Sequence, residues 1–99
     1  MSQQAKILVV DDEPAIRRLL GAGLGRAGYR VVEAASARDA LSAMQIDKPE
    51  AVLLDLGLPD RDGLDLVPLL NAAGASVLVV SARDATEQKV TALDLGADD

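Results

Sequence analysis

Lys6-Ile7-Leu8-Val9-Val10-Asp11-Asp12-Glu13-Pro14 is the stretch on which the reading of the chain turns. Ile7 to Val10 is an unbroken apolar run with β-branched side chains, the pattern of a strand buried on both faces. The run ends in acidic residues. Pro14 then stands where proline suits the first turn of a helix, with Asp12 or Glu13 as the cap. Ile16, Leu19, Leu20, Leu24 and Ala27 recur at helical spacing, and Gly28 occupies the place where glycine stops a helix. A buried strand therefore hands over to a helix through an acidic turn.

The same unit recurs along the chain. Tyr29-Arg30-Val31-Val32-Glu33 reads as a second strand. Ser36 with Asp39 resembles a capping box, with Asp in place of Glu, and opens a helix through Ala40, Leu41 and Met44 that Pro49 ends. Ala51-Val52-Leu53-Leu54-Asp55 is a third strand. Gly57, Pro59, Asp60, Asp62 and Gly63 form a loop rich in turn residues, and Asp60 and Asp62 read as ordinary members of it. Leu64 to Leu70 looks helical, although Pro68 fits only a first turn. Ser76 to Ser81 is a fourth strand, and a last helix is predicted from about Asp84 to Leu95, ended by Gly96. Strands alternating with helices imply parallel pairing through right-handed crossovers, hence an α/β fold.

Composition narrows the chemistry. The 99 residues favour one domain, and 49% are apolar, which excludes a disordered chain. Tyr29 is the sole aromatic, so the core must be aliphatic. A net charge of −6 counts against direct binding of nucleic acid or of an anionic membrane. No apolar stretch could span a bilayer, and Met1 to Gln4 lacks the features of a signal peptide, so a cytoplasmic location is expected. With neither cysteine nor histidine, thiolate chemistry, Cys/His zinc sites and a Ser-His-Asp triad are excluded. Any reaction must use carboxylates, hydroxyls, backbone amides or a hard metal ion.

Residues of that kind gather at strand ends. The first strand ends at Asp11 and Asp12, the third at Asp55 and the fourth at Ser81. An open parallel sheet binds ligands at its carboxyl edge, where the strand order reverses. Carboxylates crowded there repel one another, and a divalent cation resolves the conflict. All-oxygen ligation suits Mg2+, which commonly meets phosphate as well. A carboxylate can accept a phosphoryl group as nucleophile, and Ser81 could donate a hydrogen bond to it. Taken singly, Asp11 or Asp12 could merely cap a helix, and Asp55 or Ser81 could merely enter a turn. Gly23-Leu24-Gly25-Arg26-Ala27-Gly28 matches G-x-G-x-x-G but closes a helix instead of opening one, so it is no dinucleotide fingerprint.

Ile7 to Glu13, Leu53 to Pro59, Asp62-Gly63, Ser81-Ala82-Arg83 and Leu95 to Asp99 together resemble the receiver domains of two-component response regulators. Asp55 to Asp60, Ala15 to Arg18 and Ala92 to Asp94 look most like regulators of Kdp potassium transport. The resemblance implies a flavodoxin-like doubly wound parallel sheet. It implies Asp55 as phosphoacceptor, Asp12 as a direct Mg2+ ligand with Asp11 assisting, and the Gly57 backbone carbonyl completing the protein ligands. Ser81 would supply the hydroxyl that moves toward the phosphoryl group. The phosphoryl donor would be a sensor histidine kinase, and DNA would be reached only through an output domain. The family continues into a fifth strand, a lysine beside the site and a fifth helix, whereas this sequence stops at Asp99. A receiver domain over residues 1–99 that lacks those elements is therefore expected, with an open edge inviting a homodimer or segment-exchanged oligomer. Two rivals stand beside it. One is a phosphohydrolase of the haloacid dehalogenase type, which needs a second Asp where this chain has Gly57. The other is a receiver-like interaction module without phosphorylation.

Overall fold

A computed structural model describes residues 4–80. Strands β1 (Lys6–Val10), β2 (Arg30–Ala34), β3 (Ala51–Leu54) and β4 (Ser76–Val79) alternate with helices α1 (Pro14–Arg26), α2 (Ala37–Ile46) and α3 (Gly63–Ala72). The strands form one parallel sheet in the order β2-β1-β3-β4. The order runs outward in both directions from the β1–β3 pair, as a doubly wound sheet requires. The predicted helix from Asp84 to Leu95 and the stretch Leu95 to Asp99 lie outside the described residues.

Alternation along the strands divides the apolar side chains between two faces. Leu8, Val10, Val52, Leu54, Val77 and Val79 point to one face and are all but inaccessible to solvent. They pack against Ala40, Ala43 and Met44 of α2 and against Leu66, Val67 and Leu70 of α3. The face that α2 buries is made of alanines and one methionine, so this core is filled by small and aliphatic side chains. Ile7 and Val9 point the other way, and α1 lies over β1 and β2. That helix carries no fully buried residue, and Leu19 is 68% exposed although its spacing places it with the apolar set. Tyr29 is also exposed, just ahead of β2 at the sheet's amino edge.

The helix ends follow the local chemistry with some departures. Pro14 opens α1 as predicted, but neither Asp12 nor Glu13 caps it through a side chain; Glu13 is the capping residue by backbone alone. Ser36 accepts a hydrogen bond from the Asp39 amide at 3.1 Å, one half of a capping box. Gly28 and Gly74 follow α1 and α3 with φ of +100°, where only glycine is unstrained. The second strand begins at Arg30, one residue later than predicted, and β4 ends at Val79, two residues before Ser81. Pro68 lies inside α3, well past its first turn. Tertiary packing overrides the helix-breaking tendency there, since Leu66, Val67 and Leu70 around it are completely buried.

Gly63 is fixed by crowding. It is the first residue of α3, and a β-carbon built on it would lie 2.6 Å from Leu56 Cα and 2.8 Å from the Asp55 carbonyl oxygen. The Gly63 amide also donates to the Leu56 carbonyl at 3.0 Å. Helix α3 therefore starts pressed against the backbone that leaves β3. Gly63→Ala must displace that backbone, and the cost expected of such overpacking is about 1–3 kcal/mol. Urea unfolding of the variant should show a lowered midpoint with an unchanged slope.

Candidate functional site

Register aligns the strand ends. Val10 pairs with Ala34 on one side and with Leu54 on the other, and Leu54 pairs with Val79. The ladder runs one residue further. The amides of Asp11, Asp55 and Val80 donate to the carbonyls of Ala34, Val10 and Leu54 at 3.1, 2.9 and 2.9 Å. Asp11 and Asp55 thus leave neighbouring strands at the same level, although 44 positions separate them in the chain. Carboxylate oxygens of Asp11, Asp12 and Asp55 lie within 4.8 Å of one another. Asp11 and Asp55 are buried, at 6% and 8% exposure, while Asp12 faces solvent.

This cluster is electrostatically tense. Burial pushes the Asp11 carboxyl above its ordinary range. The Glu13 amide, donating to its Oδ1 at 2.9 Å, opposes that rise, and the charges of Asp55, Asp12 and Glu13 reinforce it. No cationic side chain bonds to any of the three carboxylates among the described residues. The nearby guanidinium of Arg17 goes elsewhere. Its Nη1 donates to the Asp11 backbone carbonyl at 2.6 Å, and its Nε donates to Glu33 at 3.1 Å. An all-oxygen set of two buried carboxylates and one exposed carboxylate fits a hard divalent cation and offers nothing to a soft one.

The loop after β3 is tied down at several points. Gly57 forms an antiparallel bridge with Asp62. Asp62 caps α3, accepting from the Leu64 amide at 3.0 Å. The carboxylate of Asp60 reaches across to α2 and accepts from the Ala37 and Arg38 amides at 2.9 and 3.0 Å. Those two hydrogen bonds hold the Asp60 carboxyl below its ordinary range. Reading Asp60 and Asp62 as ordinary loop residues is therefore corrected: each serves a helix N-terminus. Asp62 could be recognised from its place before α3, but Asp60 acts on a helix more than twenty residues earlier, which no local pattern reveals. An open groove of about 370 Å³ lies beside this contact, flanked by Arg38, Leu41 and Arg61; none of the three clustered carboxylates lines it.

The model of the response regulator receiver domain matches residues 7–99. The chain belongs to the response regulator receiver family. Among relatives, it is 47% identical to the transcriptional regulatory protein KdpE of Mycobacterium tuberculosis over 94 residues, covering 94% of this chain and 42% of that protein. The chain therefore spans about two fifths of the length of such a relative. Among solved structures, it superposes on the signal receiver domain of a LuxO repressor from Vibrio parahaemolyticus with a TM-score of 0.88 at 26% identity, over 98% of this chain and 76% of the other. A response regulator from Burkholderia pseudomallei that carries a phosphorylated aspartic acid and a calcium ion gives a TM-score of 0.87 at 32% identity, over 96% and 57%. Receiver domains are signalling proteins, and the doubly wound sheet predicted from the strand–helix alternation is the fold observed here.

Within the receiver domain, the predicted carboxylates Asp11, Asp12 and Asp55 come together. Gly57 lies two residues beyond Asp55 in the tethered loop. Ser81 lies outside the described residues. The decoy glycines Gly23, Gly25 and Gly28 sit at the end of α1, far from any strand-to-helix turn of the binding kind. No helix among the described residues is long and apolar enough to cross a membrane.

The Asp60 contact carries a pH signature. A carboxyl whose folded value is depressed contributes stability that is complete above the unfolded value, about 3.9, and is lost as pH falls through the depressed one. NMR titration should place the Asp60 midpoint below that of an unfolded Asp, and the Ala37 and Arg38 amide shifts should follow the same curve. Asp60→Asn should remove that titration and lower the urea midpoint at neutral pH.

Proposed function

We propose that this receiver domain accepts a phosphoryl group on Asp55 from a phosphohistidine of a sensor kinase, and that Mg2+ assists at Asp11, Asp12 and the Gly57 carbonyl. The observation that supports this reading best is the meeting of three carboxylates at the carboxyl edge of β1 and β3, with no cationic side chain bonded to them among the described residues. Asp55 is taken as the nucleophile because the family resemblance assigns that role to the acid ending β3; its backbone is fixed by the ladder bond to Val10. One carboxylate oxygen attacks phosphorus as the bond to the histidine nitrogen breaks. The product is an acyl phosphate, which water later hydrolyses. The bound cation would supply charge neutralisation for the phosphoryl oxygens.

The chain's own residues do the rest. Asp11, buried and held by the Glu13 amide, keeps its carboxylate aimed at the cluster. Asp12, the exposed member, offers the ligand a solvent-borne ion meets first. The Ser81 hydroxyl would donate to the phosphoryl group, as the family resemblance implies. Phosphorylation adds charge beside a tethered loop and so biases the surface that a partner reads. The likeness to KdpE supports transcriptional control of potassium transport through an output domain, in the cytoplasm. A haloacid dehalogenase type of hydrolase is not favoured, since Gly57 stands where its second acid would be.

Two measurements test the reading. Incubation with acetyl phosphate and Mg2+ should add one phosphoryl mass to the protein, and Asp55→Asn should abolish the acid-labile adduct; stoichiometric labelling of that variant would defeat the assignment. Mg2+ should raise the thermal unfolding midpoint by mass action. Asp12→Ala should weaken Mg2+ binding in calorimetry by at least the roughly 10–100-fold seen when supporting residues of metal sites are lost. Unchanged affinity would exclude Asp12 as a ligand.

A further inference from the structure

Among the described residues, Arg17 is the cation that bonds to the backbone of the acidic cluster, yet it pairs with none of the three carboxylates. It stands in the second turn of α1, with its backbone amide donating to the Glu13 carbonyl at 3.1 Å. Its side chain is only 16% exposed and makes the sole ion pair among the described residues, with Glu33 of β2. Beyond that pair, Nη1 reaches the Asp11 carbonyl at 2.6 Å. Glu33 in turn lies over α1, with its Oε2 3.8 Å from where a β-carbon on Gly21 would stand.

The effect on the β1–α1 turn follows from counting its polar groups. The Asp11 amide donates to Ala34 of β2, its carboxylate accepts from the Glu13 amide, and its carbonyl accepts from Arg17. The amide, the carbonyl and Oδ1 of Asp11 are thereby committed, and Oδ2 remains for the cluster. The carbonyl of Asp11 and the amide of Asp12 share one rigid peptide plane. Fixing the carbonyl therefore fixes the direction in which the chain enters Asp12. Asp12 itself is exposed, and no hydrogen bond from the described residues restrains its side chain. Its placement depends on the peptide before it.

We infer that Arg17, braced by Glu33, is a positioning residue for the cation site: it orients the Asp11–Asp12 peptide and so presents the Asp12 carboxylate. The inference rests on the proposed Mg2+ reading. Arginine suits the task because its rigid fork serves two acceptors at once, a carbonyl and a carboxylate, whereas a lysine ammonium is a point charge on a flexible stem. Charge and position act in opposite directions here. A positive group beside a cation site repels the cation, so loss of the charge alone would tighten Mg2+ binding. Loss of the brace would weaken it.

The test measures Mg2+ affinity by calorimetry and backbone amide shifts by NMR in wild-type protein, Arg17→Met and Arg17→Lys. Arg17→Met keeps the apolar stem; Arg17→Lys keeps the charge without the fork. Mg2+ affinity should fall about tenfold in Arg17→Met, the scale of supporting residues in metal sites, and also fall in Arg17→Lys. In Mg2+-free protein, the Asp12 and Glu13 amides should shift in both variants while amides of β3 and β4 stay in place. Equal or tighter binding in Arg17→Met, or wild-type affinity in Arg17→Lys, would overturn the inference, as would unmoved Asp12 and Glu13 amides. A variant that only lowered the unfolding midpoint, with affinity and those amides unchanged, would assign Arg17 to stability alone. If Arg17→Met does not fold, Arg17→Lys decides by the same criteria. Failure of the wild-type protein to bind Mg2+ would instead defeat the cation reading, and the Mg2+-free amide shifts would still decide whether Arg17 orients the turn.

Discussion

Everything at the site depends on the parallel register between β1 and β3. Val10 and Leu54 stand opposite each other, and the residue after each is an aspartate. A slip of one residue would turn the apolar side chains of a strand toward the wrong face. The same slip would separate Asp11 from Asp55. Burial of Leu8, Val10, Val52 and Leu54 therefore secures the carboxylates as well as the core. Fold stability and site geometry are two readings of one hydrogen-bonded ladder.

The site nevertheless works against the fold that builds it. Placing two buried acids beside a third raises the cost of ionising Asp11, so the cluster subtracts stability at neutral pH. Nothing in the described side chains relieves this, because Arg17 spends its donors on a carbonyl and on Glu33. Such uncompensated tension is a common mark of a binding site, where a ligand supplies what the protein withholds. Nearby devices limit the damage: the Glu13 amide holds Asp11, and Gly63 lets α3 press directly against the end of β3.

Much of this was legible from residue order alone. The apolar runs and the acids that end them predict the strands, their parallel pairing and the meeting of Asp11, Asp12 and Asp55, because strand periodicity and crossover handedness leave few alternatives. Local signals failed where packing or distance decided. Pro68 is carried inside α3 by the buried residues around it, and Leu19 shares the apolar spacing of α1 while facing solvent. Asp60 and Arg17 act through partners on other elements, and a carboxylate bonded to the start of α2 leaves no trace in its own neighbourhood. Those long-range hydrogen bonds emerge only when the sheet has brought the loops together.

The position of Tyr29 has a practical consequence. It is the sole aromatic in the sequence and precedes β2 at the edge of the sheet opposite the carboxylates. Five strand residues at roughly 3.3 Å each separate that edge from the other, a span of about 17 Å. With no tryptophan in the sequence, its intrinsic ultraviolet emission originates at the amino edge of the sheet, a full strand's length from the acidic one.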